Sequence, residues 1–151
     1  MSRWFGESFI NFPVLYETDL LRNTSNQAIY SFMFSYEGTK NIAKSIADNR
    51  YSEIIGATHA DDLFYLFSQP IIPTLFEGKM IDRMTCLWTN FAKYGNPTPE
   101  LTELLPVKWH PVNSSSPTIL VIDKDFSTLP LWYNEAVLYW RHVYSKYRRK
   151  L

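Results

Sequence analysis

Apolar positions recur along this chain in two rhythms. Near the start, Phe9, Phe12, Tyr16 and Leu20 fall at helical steps, the spacing that puts side chains on one face of an α-helix. This predicts a helix from Phe5 to Arg22. Pro13 is tolerated best in a first turn, so the regular part begins near Phe12. Asn23 to Gln27 is a polar turn. From Ala28 to Tyr36 the rhythm shortens: Tyr30, Phe32, Phe34 and Tyr36 face one way, and Ile29, Ser31, Met33 and Ser35 the other. Neither face is charged, which predicts a strand covered on both sides, as in the interior of an α/β sheet. Lys79 to Tyr94 is the clearest helix, with Ile81, Met84, Trp88 and Phe91 in a stripe that Leu87 widens. Gly95 suits the residue after its end, and Pro97 prevents continuation. That stripe reads as packing, without chemistry.

Thr98 to Pro117 reads as a loop carrying Trp109. Thr118 to Ile122 is a short β-rich run, expected at a sheet edge. After Pro130, Trp132 to Tyr147 reads as a terminal helix whose stripe is Val137, Trp140, Tyr144 and Tyr147. Lys146, Arg148, Arg149 and Lys150 suit the negative end of its dipole. The pattern is that of an α/β protein: a partial sheet with packing helices.

Glu37 to Ile55 is a long connection, with a short helix expected over Asn41 to Ala47. Connections of this length tend to be functional. It delivers Gly56-Ala57-Thr58-His59-Ala60-Asp61-Asp62. Histidine takes and returns a proton near neutrality. Glycine frees the backbone ahead of it. Asp61 and Asp62 read as helix-start residues, since carboxylates favour a first turn, and a short helix is expected from Asp62 to Phe67, ended by Gln69-Pro70. Pro70 to Pro73 reads as a loop packed on the core rather than as a pocket lining.

Other candidates are weaker. Gly6-Glu7-Ser8 lacks the second glycine of a nucleophile elbow, because Ile10 stands there; Ser8 reads as a surface or cap serine. His110 reads as a packed or exposed loop residue, and His142 as a surface or helix-capping one. Asn23-Thr24-Ser25 and Asn113-Ser114-Ser115 make Asn23 and Asn113 candidate N-glycosylation sites in loop-like sequence.

Composition narrows the partners. The chain is 46% hydrophobic and 17% aromatic, a load that suits a slab cut from a larger core. Lys plus Arg and Asp plus Glu are 15 each, so no net field draws nucleic acid or a membrane surface. No apolar run approaches the roughly 18 residues of a membrane span. The single cysteine, Cys86, excludes an internal disulfide and reads as buried and inert. No Cys/His metal cluster and no phosphate-binding glycine loop occur, so no cofactor is called for. Residues 1–11 lack the basic start and apolar centre of a signal peptide.

Gly56-x-x-His59-x-Asp61-Asp62 followed by Leu63-Phe64-Tyr65-Leu66-Phe67 resembles the catalytic-histidine segment of type-B carboxylesterases, the cholinesterase-like branch of the α/β-hydrolases, in wording closest to insect esterases. Trp88-Thr89-Asn90-Phe91-Ala92-Lys93-Tyr94-Gly95-Asn96-Pro97 resembles the family's Trp-x-x-Phe-Ala-x-x-Gly-Asn-Pro. Trp109-His110-Pro111, Thr118 to Asp123 and the aromatic last helix continue the family's order. The resemblance implies the C-terminal portion of an α/β-hydrolase fold, with His59 as the triad histidine acting on small-molecule carboxylic esters and no cofactor. It also implies a secreted parent. In that family, serine and acid precede the histidine by far more chain than stands before His59. The expectation is therefore that residues 1–151 form an incomplete C-terminal part, inactive alone. The rival reading is a non-catalytic, cholinesterase-like binding or adhesion protein. A metal hydrolase built on His59, Asp61 and Asp62 ranks far lower, because consecutive aspartates do not converge on one ion.

Overall fold

Helix runs over residues 2–24, where almost every side chain tolerates it. α1 (Ser2–Gly6), a π-helical turn (Glu7–Asn11) and α2 (Phe12–Thr24) run end to end. Phe12 N–H bonds the Glu7 carbonyl, the wide spacing of a π turn. Pro13 follows in the first turn of α2, where its missing N–H costs nothing. The computed structural model describes residues 2–43, 53, 55–67, 77–112, 117–131 and 135–148.

α2 buries Phe12, Leu15 and Thr18. Phe9, Tyr16 and Leu20 of the expected stripe are exposed. The wide turn shifts the phase of the helix. A polar residue then takes an interior place, since the Thr18 hydroxyl is satisfied by the Val14 carbonyl at 2.7 Å.

The sheet has the order β1-β2-β3. β1 (Phe32–Phe34) runs parallel to β2 (Thr118–Ile122), with Phe32 opposite Leu120 and Phe34 opposite Ile122. β3 (Ser127–Pro130) returns antiparallel to β2, with Thr118 opposite Pro130. Two expectations change here. The strand expected from Ala28 to Tyr36 is regular only over Phe32–Phe34, although bonds from Leu120 N–H to Ser31 O (3.1 Å) and from Ser35 N–H to Ile122 O (2.9 Å) lengthen the pairing. β2 is the middle strand rather than an edge, because β3 covers its far side. β3 is exposed throughout and carries little apolar pattern, so the sequence did not announce it. Ile119, Leu120, Val121 and Ile122 are all buried, as suits a strand with neighbours on both sides.

Both sheet faces are covered. On one, Tyr30, Phe32, Phe34 and Tyr36 pack against a core of Tyr65, Met80, Met84, Leu87, Leu105, Trp109, Leu120 and Ile122. On the other, Met33 packs with Phe12, Leu15, Ile119, Leu131 and Val137. The strand's two-residue rhythm thus feeds two separate clusters, as its uncharged faces predicted.

α3 (Leu63–Leu66) and α4 (Gly78–Tyr94) lie over the first face. α4 ends at Gly95, whose φ of 63° carries the chain out while its N–H bonds the Phe91 carbonyl. Its buried residues are Met80, Arg83, Met84 and Leu87. Of the expected stripe, Met84 and Leu87 are buried, Ile81 and Trp88 are half-buried against the same core, and Phe91 is exposed. Arg83, outside the expected stripe, is also buried and gives bonds to the carbonyls of Leu104 (3.0 Å) and Lys124 (2.9 Å). Cys86, expected to be buried, is half-buried beside the Asn90 amide.

α5 (Glu135–Tyr147) packs on α2. Val137 is buried, the Tyr144 ring lies 4.8 Å from that of Phe12, and Arg141 pairs with Asp19 at 3.1 Å. Tyr144 and Tyr147 stay largely exposed. Among the described residues no helix is long and apolar enough to cross a membrane. The architecture is α/β: a small mixed sheet with helices on both faces.

Candidate active site

Gly56 (φ 101°) and Ala60 (φ 74°) both sit in the left-handed region, on either side of Thr58 and His59. For glycine this costs little. For alanine it is strained. The turn is closed by Asp61 N–H to the Thr58 carbonyl at 3.1 Å. Ala60 occupies the third place, where a turn with a left-handed residue ordinarily favours glycine. His59 stands between, and is exposed. Backbone outliers held by their surroundings concentrate at functional sites.

What holds this one is Asp61, which is fully buried. Its carboxylate accepts from Thr58 N–H (2.7 Å), Thr58 Oγ1 (2.9 Å), Asn41 Nδ2 (3.2 Å) and Ala43 N–H (3.1 Å). A buried carboxylate is tolerable when donors surround it. Asn41 extends the network: its amide also donates to the Tyr36 carbonyl (2.9 Å), and its oxygen accepts from Gly38 N–H (3.0 Å) and Tyr65 Oη (2.8 Å). Glu77, buried as well, accepts from Thr39 N–H (2.5 Å) and Thr39 Oγ1 (3.1 Å), with Tyr65 Oη at 3.5 Å. Burial pushes the Tyr65 phenol well above the ordinary tyrosine value, and the Glu77 charge adds to the rise.

Asp61 is therefore a loop anchor. It was expected to start the helix, but α3 is preceded by Asp62, which makes no side-chain cap bond, and its first turn holds no acid. The sequence reading missed Asn41, Tyr65 and Glu77. A signal existed only for Tyr65, which stands one helical turn after Asp61 and so shares its side.

The remaining candidates lie elsewhere. Ser8 is buried in the π turn, its hydroxyl 3.4 Å from the Phe5 carbonyl, and is neither a surface nor a cap serine. It packs inward because the helix continues through it. His110 and His142 are exposed. Asn23 is exposed but belongs to the last turn of α2, where its amide bonds the Asp19 carbonyl at 2.9 Å; it is helical rather than looped. Asn113, Pro70 to Pro73 and most of the helix expected over Asn41 to Ala47 fall outside the described residues. Among the described residues, no group of His, Cys, Asp and Glu is arranged to hold a metal ion. An open groove of about 160 Å³ is lined by Tyr30, Phe32, Leu87, Trp88, Phe91, Pro97 and Trp109, and shares no residue with the His59 turn.

The site thus presents one exposed imidazole on a turn fixed from beneath.

Comparison with known proteins bears on this geometry. Juvenile hormone esterase of Tribolium castaneum is 31% identical over 120 residues, which is 75% of this chain and 20% of that protein. Bile salt-activated lipase of Rattus norvegicus is 28% identical over 132 residues, 76% of this chain and 20% of that protein. The chain thus spans about a fifth of the length of these relatives. The crystal structure of juvenile hormone esterase from Manduca sexta, with OTFP covalently attached, superposes with a TM-score of 0.70 at 19% identity. That match covers 95% of this chain and 28% of the other, and likens the fold. The model of the carboxylesterase family matches residues 1–140, and the chain belongs to that family.

Proposed function

We propose that residues 1–151 are the C-terminal, histidine-bearing part of a serine carboxylesterase, and that His59 is its general base and acid. The observation that carries this is the exposed imidazole on a strained turn, held by the buried Asp61 carboxylate. Family membership and the short share of the relatives' length support it.

In the complete enzyme a serine hydroxyl from the preceding polypeptide attacks the ester carbonyl. His59 takes its proton, then returns it to the leaving alcohol. A carboxylate from the same preceding part holds the imidazole tautomer, and backbone donors there stabilise the tetrahedral oxyanion. The substrates are small-molecule carboxylic esters, and no cofactor takes part. Residues 1–151 by themselves are inactive, since they supply no activated nucleophile. A secreted, glycosylated parent follows from the same reading, with Asn23 as an exposed acceptor.

The deciding experiment is His59→Ala in the complete enzyme, assayed on an aryl ester. Turnover falls on the order of 10⁴-fold or more while the fold persists. Undiminished turnover removes the assignment.

A further inference from the structure

We propose that Asp61 is the positioning residue of the His59 turn: its buried carboxylate, through Thr58, fixes where the imidazole stands. This rests on the reading of His59 as the proton carrier.

A carboxylate offers about four acceptor sites. At Asp61, Oδ2 accepts from Thr58 N–H, Thr58 Oγ1 and Asn41 Nδ2, and Oδ1 accepts from Ala43 N–H. Among the described residues no hydrogen bond joins Asp61 to His59, so Asp61 does not orient the imidazole by touching it. It acts on the backbone that carries it. Thr58 and Asp61 are tied three times, by the two bonds above and by Asp61 N–H to the Thr58 carbonyl. His59 and Ala60 are the two residues between. With both ends clamped, Ala60 is kept at a φ of 74°, which an alanine leaves when free to do so. The direction of the His59 side chain follows from that clamp.

The clamp is itself referenced to the sheet. Asn41 Nδ2 bonds both Asp61 and the Tyr36 carbonyl. Tyr36 N–H bonds the Ile122 carbonyl at the end of β2. From β2 through Tyr36, Asn41 and Asp61 to Thr58 the line is made of hydrogen bonds of 2.7–3.2 Å between half-buried or buried groups, and the chain carries it on to His59. A residue so placed governs a reaction by geometry, where a displacement of about 1 Å costs on the order of 10²-fold in rate.

The test uses the complete enzyme and a small aryl ester. Asp61→Ala lowers kcat about 10- to 100-fold and leaves KM within about twofold, because substrate binding is not what moves. In a His59→Ala background, Asp61→Ala lowers the residual turnover no further, since the group it positions is gone. A loss of equal size in both backgrounds assigns Asp61 to the fold alone and overturns the proposal. So does an unchanged kcat. His59→Ala with full turnover overturns the reading of His59 instead, whatever Asp61 does. If Asp61→Ala does not fold, Thr58→Val decides: it keeps the shape and the N–H bond and removes one tie. It lowers kcat by roughly 3- to 10-fold at constant KM, and wild-type kcat in that variant rejects the clamp.

Discussion

The indole N–H of Trp109 donates a 3.0 Å hydrogen bond to the carbonyl of Ser31, 78 residues earlier. Trp109 lies on a loop and Ser31 just ahead of β1, so this bond seats the loop on the sheet. The ring also meets Tyr30, Phe32 and Trp88 at 5.8, 5.9 and 6.1 Å. Leu120 N–H donates to the same carbonyl. In Trp109→Phe the acceptor therefore keeps a partner, and the loss is mainly of packed volume. We expect a destabilisation of about 1.5–3 kcal/mol by urea denaturation. Trp88→Phe, at a half-buried site, loses less. The reverse order would show that the cluster is not centred on Trp109.

Arg83 reaches two carbonyls on different segments and lies 4.8 Å from the centre of the Phe126 ring. Arg83→Met keeps the stem and abandons both buried acceptors, at a cost of about 2–3 kcal/mol. Because its acceptors are carbonyls, the loss stays the same as ionic strength rises. Arg141, more than half exposed beside Asp19, is the control: Arg141→Ala costs less than about 1 kcal/mol, and added salt erases it. Equal salt sensitivity in the two variants refutes this account of Arg83.

What the sequence made legible was whatever a local rhythm records. α4 with its Gly95 stop, β2, the two covered faces of β1 and the histidine turn were all readable. Phases were less secure. The π turn at Glu7–Asn11 shifts the phase of α2, and α4 buries Arg83 beside Met84 and Leu87, because a polar side chain with partners competes for an interior place. The network under His59 was hidden for a different reason. Thr39 and Glu77 are 38 residues apart, and Asn41 and Tyr65 are 24 apart. Side chains that meet only after folding leave no periodic mark.

Gly38 marks the tightest point of that network. A Cβ there would press on the Glu77 carboxylate, the Tyr65 hydroxyl and the Tyr36 ring. Tyr65 and Glu77 are both buried and hydrogen-bonded, so neither yields freely. Gly38→Ala is expected to destabilise by about 1–3 kcal/mol. Gly6→Ala, with open space around the added carbon, is neutral or mildly stabilising in its helix. Thermal melts of the two variants side by side test the contrast, and a tolerated Gly38→Ala would mean the network gives way easily.

Tyr65 supplies a prediction with a definite sign. Its phenol is fully buried, donates to Asn41 Oδ1 at 2.8 Å, and is held protonated above the ordinary value of 10.0, by burial first and by the Glu77 charge second. Below pH 10 the phenol is protonated in both folded and unfolded chains and contributes no pH dependence. Above it the unfolded chain ionises and binds fewer protons than the folded one, so stability falls as pH rises. Tyr30 and Tyr36 are shifted the same way and share in the fall. Tyr65→Phe is less stable at neutral pH, because Asn41 and Glu77 lose a donor. It also lacks the Tyr65 part of the alkaline slope. The stability gap between wild type and Tyr65→Phe should therefore shrink as pH climbs beyond 10, measured by urea midpoints. A gap that stays constant across that range would show that Tyr65 ionises as freely in the folded protein as in the unfolded one.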